Sequence, residues 1–423
     1  MTDTKPEFNE LVRTFARIGC LSFGGPAGQI ALMHREVVEE RGWVDEGAYL
    51  RALNLCHLLP GPEAQQLATW IGWKLHGVRG GLAAGLLFIV PGALVMLLLS
   101  MFYVALSGQG WFEPLFLGIK AAVLAIVAQA VARIAGRALG TQFKVGLAIA
   151  SFLALAALSV PFPLVVFGAA LIGAVAGVYR PDLLQAHGHD GGEAVRPTRD
   201  LLRETGITLV TWAGIWALPM VLIALTLGTD STLWDIGAFF SKLAVATFGG
   251  AYAVLSWMAQ ASVEQYGWLT PGEMADGLGL AETTPGPLIL VTQHVGFLAG
   301  LRDPGPLNPL VGGFLGALVT TWVTFAPCFL WIFAFAPWTA AIERVAALQA
   351  ALAAITAAVV GVIANLAVWF ALHVLFSNSD LLQFDWRAAL IAALAALLLF
   401  RMKRSVLEVL AVSAVAGLIL GHI

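Results

Sequence analysis

Long apolar runs alternate with short polar segments along most of the chain. A helix that spans a bilayer needs about 20 apolar residues. About nine segments approach or exceed this length, the last two being short: 80–106, 114–132, 145–160, 162–179, 207–228, 308–337, 345–373, 387–400 and 405–421. The 145–179 stretch contains Pro161 and Pro163 and predicts two helices rather than one. The pattern predicts an all-α polytopic membrane protein.

Four further apolar segments are interrupted by glycine and proline. The breaks are Phe23-Gly24-Gly25-Pro26 within 10–33, Pro60-Gly61-Pro62 within 48–76, Phe248-Gly249-Gly250 within 234–257 and Pro285-Gly286-Pro287 within 272–300. Irregular backbone at membrane depth persists only where protein or a water-filled cavity satisfies it, so these breaks indicate a transport path. The segments either re-enter the membrane as hairpins or cross it, which would give about thirteen spans in all.

The breaks belong to an internal repeat with an offset of 225 residues. Phe23-Gly24-Gly25 matches Phe248-Gly249-Gly250, Gly42-Trp43 matches Gly267-Trp268, and the two Pro-Gly-Pro motifs match each other. The alignment needs no gap from 15 to 62 and contains 15 identities in 48 positions. Shared apolar composition does not align three glycine, proline and tryptophan motifs in one register. The chain therefore contains two homologous halves.

Loop charges indicate that the halves are inverted, since Lys and Arg stay on the cytoplasmic side. The loop after 114–132 is basic and the next connection is uncharged, whereas in the second half the loop 374–386 lacks Lys and Arg and the next is basic. Likewise 34–51 contains three Arg and its counterpart 259–276 contains none. The same rule favours re-entrant hairpins for the broken segments.

These features predict four units along the chain. They are an N-terminal transporter repeat (1–179), a cytoplasmic linker (180–206), a linking transmembrane helix (207–230) and a C-terminal inverted repeat (231–423). The linker is the only long polar stretch between spans, and metal binding by His187 and His189 is the alternative to a plain flexible connection. Elsewhere no His cluster or CxxC motif occurs, so we expect no metal and no cofactor.

Composition excludes several classes of protein. Hydrophobic residues make up 59% and charged residues 12% of the chain, against about 25% charged in soluble domains. A soluble enzyme and a nucleic-acid binder are excluded, and the lipid bilayer is the expected surrounding. HExxH, GxSxG and Walker A motifs are absent from the sequence, so we predict no catalytic residues. A homodimer is left open.

The breaks are the expected substrate site. Helix N-termini present unpaired N–H groups and a partial positive charge, and glycine lets the backbone approach an anion closely. Arg17 and Lys242 are equivalent in the repeat and together suit a doubly charged oxyanion; snorkelling to the interface is the alternative. The expected substrate-binding residues are Arg17, Ser22, Gly24, Gly25, Pro60, Gly61, Pro62, Glu63, Gln66, Lys242, Thr247, Gly249, Gly250, Thr284, Pro285, Gly286 and Pro287.

Three further residues are candidates for proton coupling: His57, Glu282 and His294. An imidazole titrates near neutral pH, and an ionisable residue inside an apolar segment is functional by default. The alternative for the two histidines is a satisfied core or interface position. Ser22 and Thr247 have an alternative of their own, which is a hydrogen bond to the carbonyl four residues earlier.

At these residues the sequence resembles the chromate ion transporter family. The resemblance rests on FARIGCLSFGGPAGQIALMHREVVEERGWV at 15–44, LNLCHLLPGPEAQQLATWIGWKLHGVRGGLAAGLLFIVPG at 53–92, ATFGGAYAVL at 246–255 and AETTPGPLILVTQHVGFLAG at 281–300. It implies a multi-pass protein of the bacterial inner membrane that exports chromate and confers chromate resistance, with homologous halves of opposite orientation. Sulfate or another oxyanion is the alternative substrate. A non-transporting sensor or assembly subunit is the alternative class, but the longest polar stretch is too short for an output domain.

Overall fold

The computed structural model describes residues 6–23, 25–180, 183–184, 198–248, 251–342, 345–376 and 383–421. Within these residues the secondary structure is helical, apart from an isolated antiparallel bridge between Phe376 and Phe384. The helices are α1 Phe8–Leu21, α2 Gly25–His34, α3 Glu46–Leu58, α4 Glu63–Leu106, α5 Phe112–Ala138, α6 Gln142–Ala156, α7 Phe162–Tyr179, α8 Thr198–Thr226, α9 Thr232–Ala246, α10 Ala251–Gln260, α11 Pro271–Thr283, α12 Val291–Arg302, α13 Pro309–Phe335, α14 Thr339–Ile342, α15 Ala346–Leu375, α16 Trp386–Ala396 and α17 Val406–Leu420.

Among the described residues, six helices are long and apolar enough to cross a membrane: α4, α5, α7, α8, α13 and α15. Their outer faces expose large apolar side chains, such as Leu94, Phe167 and Leu225, as expected of surfaces that face lipid. The prediction of an all-α polytopic membrane protein is confirmed.

Three of the predicted spans are short helices, as the sequence indicated. They are α6, α16 and α17. A helix of 15 residues is about 22 Å long, less than the hydrocarbon thickness of about 30 Å. The basic segment after Arg401 separates α16 from α17, and the 145–179 stretch forms two helices that meet near Pro161, as predicted.

Helix α4 consists of two helices joined by a tight turn. His76 and Gly77 have non-helical dihedrals, and Gly77 has φ 62° and ψ −154°, a conformation that favours glycine. The short arm 63–75 therefore folds back on 78–106. At the crossing a Cβ on Gly72 would lie 2.2 Å from the Gly80 carbonyl oxygen, so glycine is what permits the contact.

The first broken segment is a helical hairpin. Arg17 of α1 lies 3.8 Å from Glu36 in the π-helical turn that extends α2. This contact requires α2 to run back along α1, because a straight continuation would place Glu36 on the far side of the break. At the outer end of α1, the Pro6 carbonyl oxygen lies 2.9 Å from the His76 ring.

The second broken segment folds back in the same way. Lys74, at the end of the 63–75 arm, lies 3.9 Å from Asp45, which caps the start of α3. The outer ends of α1, α2, α3 and this arm therefore meet at one end of the molecule. Their inner ends are the Gly-Gly and Pro-Gly-Pro breaks.

The second half contains comparable contacts. Phe239 of α9 packs against Trp257 of α10 with ring centroids 5.4 Å apart. At the turn that connects α10 to α11, the outer turn of this half, the Trp268 N–H donates a hydrogen bond to the Ser262 carbonyl at 2.8 Å. The equivalent first-half bond, from Trp43 to Val37, is also 2.8 Å long.

The 78–106 arm of α4 contacts one set of hairpins near each of its ends. The 78–106 arm of α4 starts beside the outer ends of the first set, at His76. Near its far end Tyr103 reaches Asp276 of α11, close to the outer turns of the second set. The halves also exchange partners: α5 packs on α16 and α17, and α15 packs on α6 and α7.

Candidate functional site

The Pro-Gly-Pro breaks lie side by side with the ends of α1 and α9 in the buried centre. The Gly61 N–H donates a 2.8 Å hydrogen bond to the carbonyl of Thr247, and the Gly286 N–H donates an equally long bond to the carbonyl of Ser22. Each break is therefore completed by the opposite half. Positive φ angles at Gly61 (128°) and Gly286 (91°) explain why glycine stands at both positions.

Two buried glutamines support the breaks. Gln29 donates through Nε2 to the Gly286 carbonyl at 2.6 Å, and Gln66 donates to the Pro60 carbonyl at 2.7 Å. Both leave a buried Oε1 without a partner among the described residues. An unpartnered buried acceptor is costly, so these oxygens are groups that a bound proton donor or water would satisfy.

Three predicted substrate-binding hydroxyls are directed at their own helices. Each donates to the carbonyl four residues earlier: Ser22 to Ile18 at 2.6 Å, Thr247 to Leu243 at 2.7 Å and Thr284 to Leu280 at 2.8 Å. This is the alternative role considered for Ser22 and Thr247. An oxyanion needs donors, so these hydroxyls bind one only after rotating away from their carbonyls.

A cavity of about 390 Å³ lies beside the first-half breaks. Its polar lining consists of His57, Glu63, Arg133, Arg137 and Tyr252, with Thr356 of α15. The volume lies within the range of about 300–1,000 Å³ that is usual for small-molecule sites. The two arginines are four residues apart on α5 and so share one face of that helix.

Helix N-termini add to the positive character of this cavity. Pro26 in the first turn of α2, Glu63 at the start of α4 and Tyr252 at the start of α10 all line it. The residue before α4 is Pro62, which provides no side-chain cap. Unpaired N–H groups and aligned peptide dipoles favour an anion at such a point.

Two buried carboxyl groups lie beside this positive charge. Glu63 is 8% exposed and faces the cavity, and Glu282 accepts a 2.7 Å hydrogen bond from the Tyr252 hydroxyl. Like charges repel strongly at short range in a buried site. Ionised Glu63 would repel a dianion in the cavity, whereas the neutral acid would offer it an O–H donor.

The remaining predicted residues lie elsewhere. The side chain of Arg17 is 59% exposed, Lys242 is exposed, and neither lines this cavity. His294 is fully buried in α12, away from the cavity lining. Gly24, Gly249, Gly250, His187 and His189 lie outside the described residues. Across the described part of the chain, no group of three metal-ligating side chains is present.

Sequence reasoning treated Arg133 and Arg137 only as loop charges. Their spacing of four residues at the end of an apolar run was the signal that could have assigned them to one helical face. Tyr252 was missed because its role depends on Glu282, thirty residues further along the chain. These three residues form the part of the site that depends on long-range packing.

The helix breaks are buried, are joined by hydrogen bonds across the two halves and lie beside a polar cavity. These features are typical of a polytopic helical membrane transporter. The sequence profile of the chromate transporter family matches residues 9–174 and 234–418. The chain belongs to this family, as the motifs predicted. The two matched segments start 225 residues apart, which is the offset of the repeated motifs.

Curated relatives cover most of the chain. The chromate transport protein of Cupriavidus metallidurans is 28% identical over 97% of this chain and 92% of its own length. That of Pseudomonas aeruginosa is 31% identical over 84% of this chain and 79% of its own length. A probable chromate transport protein of Synechococcus elongatus is 29% identical over 76% and 74%, respectively. No solved structure matches the chain.

Proposed function

We propose that this protein is a secondary transporter that exports chromate across the bacterial inner membrane and so confers chromate resistance. The observation that carries the proposal is the cavity in which Arg133, Arg137 and the starts of α2, α4 and α10 converge. Two guanidinium groups and three helix N-termini suit a tetrahedral dianion with four acceptor oxygens. The relatives described above are chromate transport proteins, which supports chromate as the substrate.

The cavity faces the cytoplasm in this proposal. Arg133 and Arg137 lie in the last turns of α5, and Lys144 lies at the start of α6. This connection is basic, and basic connections stay on the cytoplasmic side. An anion would therefore load from inside the cell. Outward movement of a dianion is then favoured by an inside-negative potential, by about 4.6 kcal/mol per 100 mV for two charges.

The proposal further includes two halves of inverted topology with re-entrant helical hairpins. The crossed hydrogen bonds from Gly61 to Thr247 and from Gly286 to Ser22 support it, since each has its counterpart at an offset of 225. In such carriers the substrate site lies where the repeats meet, and one repeat rocks against the other. The remaining predicted contacts at the breaks, Gly25, Pro285 and Pro287 among them, would border the route beyond the cavity.

Sulfate is the second candidate substrate. The cavity recognises charge and acceptor oxygens, and chromate and sulfate are both tetrahedral dianions. The lining offers no group that distinguishes chromium from sulfur. Competition between the two anions is therefore part of the test.

The test is uptake of radiolabelled chromate into energised everted membrane vesicles, with excess sulfate as competitor. Saturable uptake that sulfate blocks is expected. Arg133→Ala and Arg137→Ala should each weaken apparent affinity at least about tenfold, since a hydrogen bond to a charged group contributes about 1.5–3 kcal/mol. Arg404→Ala is the matched control, because Arg404 is exposed, lies 3.9 Å from Glu408 and is outside the cavity. No uptake of either anion, with the protein present in the membrane, would contradict the proposal.

A further inference from the structure

A second polar cluster lies toward the opposite end of α5 from the cavity. Asp276 of α11 is 2% exposed and accepts a 2.8 Å hydrogen bond from the Tyr103 hydroxyl. The Lys120 ammonium lies 3.5 Å from the same carboxylate oxygen, Oδ2. Lys120 and Arg133 are thirteen residues apart on α5, so the two sites are separated by about 20 Å along the helix.

A buried histidine extends this cluster. The His294 ring packs edge-on against the Tyr103 ring, with centroids 5.1 Å apart, and its Nδ1 lies 2.9 Å from the Ser100 hydroxyl. That hydroxyl also donates to the Met96 carbonyl at 2.8 Å. A hydroxyl has one proton, so with that proton on the carbonyl the imidazole Nδ1–H donates to Ser100. Nε2 is then a bare acceptor.

Two buried polar atoms of the cluster have no hydrogen-bond partner among the described residues. They are Oδ1 of Asp276 and Nε2 of His294. Both are acceptors, and leaving a buried acceptor unpaired is costly. A proton bound to either atom would turn it into a donor.

The chemistry of the cluster favours a proton over other small ligands. An anion would meet the Asp276 carboxylate, and a metal cation would meet the Lys120 ammonium. The described residues hold no group of three metal-ligating side chains. A carboxylate takes up a proton without any additional ligand. Protonation of Asp276 removes the negative charge that Lys120 faces.

Helix α11 connects this cluster to the transport site. Asp276 lies in its second turn, and Glu282, near its last residue, accepts the hydrogen bond from Tyr252 at the cavity. The helix then leads into Gly286, whose N–H bonds Ser22 of the other half. A change in charge at Asp276 therefore acts on the helix that forms the second Pro-Gly-Pro break.

We propose that Asp276, with Lys120, Tyr103 and His294 around it, is the proton-carrying site that couples oxyanion transport to proton movement. The carboxylate takes a proton from water on one side of the membrane and returns it to water on the other. When the proton is bound, the ion pair with Lys120 is lost, and α11 is free to shift. The proposal rests on the transport function proposed above.

Other ionisable groups lie on α11 and on the helices that pack against it. Glu273 lies on the same helix and is paired with Arg302 of α12. Two further helices pack on α11, and their ionisable residues are near their ends: Glu408 in the first turn of α17 and His373 in the last turn of α15. Variants are therefore compared over the same series of pH values rather than at a single pH.

The experiment uses the full-length protein in liposomes that contain a pH-sensitive dye, with the potential clamped by valinomycin and potassium. A sulfate gradient drives transport, and exchange of labelled sulfate at equal concentrations is measured in parallel. The wild type should move protons together with sulfate. Asp276→Asn should lose the proton movement and keep exchange, which needs no change of protonation. Glu113→Gln, which changes an exposed carboxylate on α5, should match the wild type.

The pH dependence of coupling in Lys120→Met provides a second test. A purely structural role of Lys120 would not shift this pH dependence. Without the ammonium the Asp276 carboxylate holds its proton more tightly, so the pH at which coupling is half lost should rise. Proton movement in Asp276→Asn equal to the wild type, or sulfate transport by the wild type without protons, overturns the inference. Loss of exchange in Asp276→Asn, with no pH shift in Lys120→Met, also overturns it. Absence of sulfate and chromate exchange in the wild type instead refutes the transport function itself.

Discussion

The Gly61 N–H and the Thr247 carbonyl form a buried 2.8 Å hydrogen bond that joins the first Pro-Gly-Pro break to the end of α9. The equivalent pair, Gly286 and Ser22, forms the same bond between the other break and the end of α1. Leaving such a buried group unpaired costs about 1–3 kcal/mol. Neither break can therefore separate from the helix end of the opposite half without a penalty, so we expect both hydrogen bonds to persist while the repeats rock during transport.

The two break glycines differ in the space around them, which gives a matched pair of variants. A Cβ on Gly61 would lie 2.7 Å from Cys328 Sγ and 2.8 Å from Gln66 Nε2, whereas at Gly286 the nearest atom is 3.4 Å away. Positive φ costs about 1–2 kcal/mol for a residue with a side chain. Gly61→Ala adds an overpacking cost of about 1–3 kcal/mol. In thermal unfolding measurements in detergent, Gly61→Ala should therefore lower the stability of the protein more than Gly286→Ala does.

Gly108 is the control for this pair, because a Cβ added there would have no neighbour within 4 Å and its φ is not positive. Gly108→Ala should change stability by less than about 0.5 kcal/mol. If Gly61→Ala and Gly286→Ala lower the stability equally, the close contact between position 61 and Cys328 does not constrain the first break.

The parts of the fold that follow from local chemistry could be predicted from the sequence. The glycine and proline breaks act on their own backbone, and Asp45 and Thr270 cap α3 and α11 at equivalent positions of the repeat. These signals need no knowledge of distant residues. The same holds for the apolar runs of α5, α13 and α15, whose length alone predicts helices that cross a membrane.

The composition of the cavity could not be predicted in the same way. Arg133 and Arg137 of α5 meet Glu63 of α4 and Tyr252 of α10 only because helices from both halves pack around the breaks. Asp276 was within reach of a sequence rule, since it is an ionisable residue inside an apolar segment. Its partners Tyr103 and Lys120 lie more than 150 residues earlier, and no local pattern connects them to it.

Glu63 should bind the substrate as a neutral acid. Glu63→Gln keeps the shape and a hydrogen-bond donor, so sulfate affinity at neutral pH should be retained. Glu63→Ala removes the donor, and affinity should fall at least about tenfold, in line with about 1.5 kcal/mol or more for a bond to a charged group. Equilibrium binding of labelled sulfate to the purified protein measures both.

The pH dependence distinguishes this role from simple packing. Wild-type affinity should fall as the pH rises, because ionised Glu63 repels the dianion, and Glu63→Gln should flatten this dependence. Glu10→Gln, which changes an exposed carboxylate on α1, is the control and should keep the wild-type profile. If Glu63→Gln keeps the wild-type dependence of sulfate affinity on pH, that dependence comes from another group.

Arg17 and Lys242 provide a test of which cations bind the substrate. Both are exposed, and neither lines the cavity that contains Arg133. Arg17→Ala and Lys242→Ala should therefore raise the apparent KM for chromate less than Arg133→Ala does, with similar amounts of protein in the membrane. A larger effect of Arg17→Ala than of Arg133→Ala would move the primary anion site to the hairpin of α1 and α2.

The outer turns of the two sets of hairpins should lie on opposite sides of the membrane. Glu40 and Gln265 are both exposed and are equivalent in the repeat. The native Cys20 is exposed, whereas Cys56 and Cys328 are buried, so Cys20→Ser gives a background with little labelling. In it, Gln265→Cys should react with a membrane-impermeant maleimide in intact cells, and Glu40→Cys only in everted vesicles. The background variant alone controls for the buried thiols. Labelling of both positions from the same side would be incompatible with inverted halves, because the 78–106 arm of α4 separates the two sets of turns by about 40 Å.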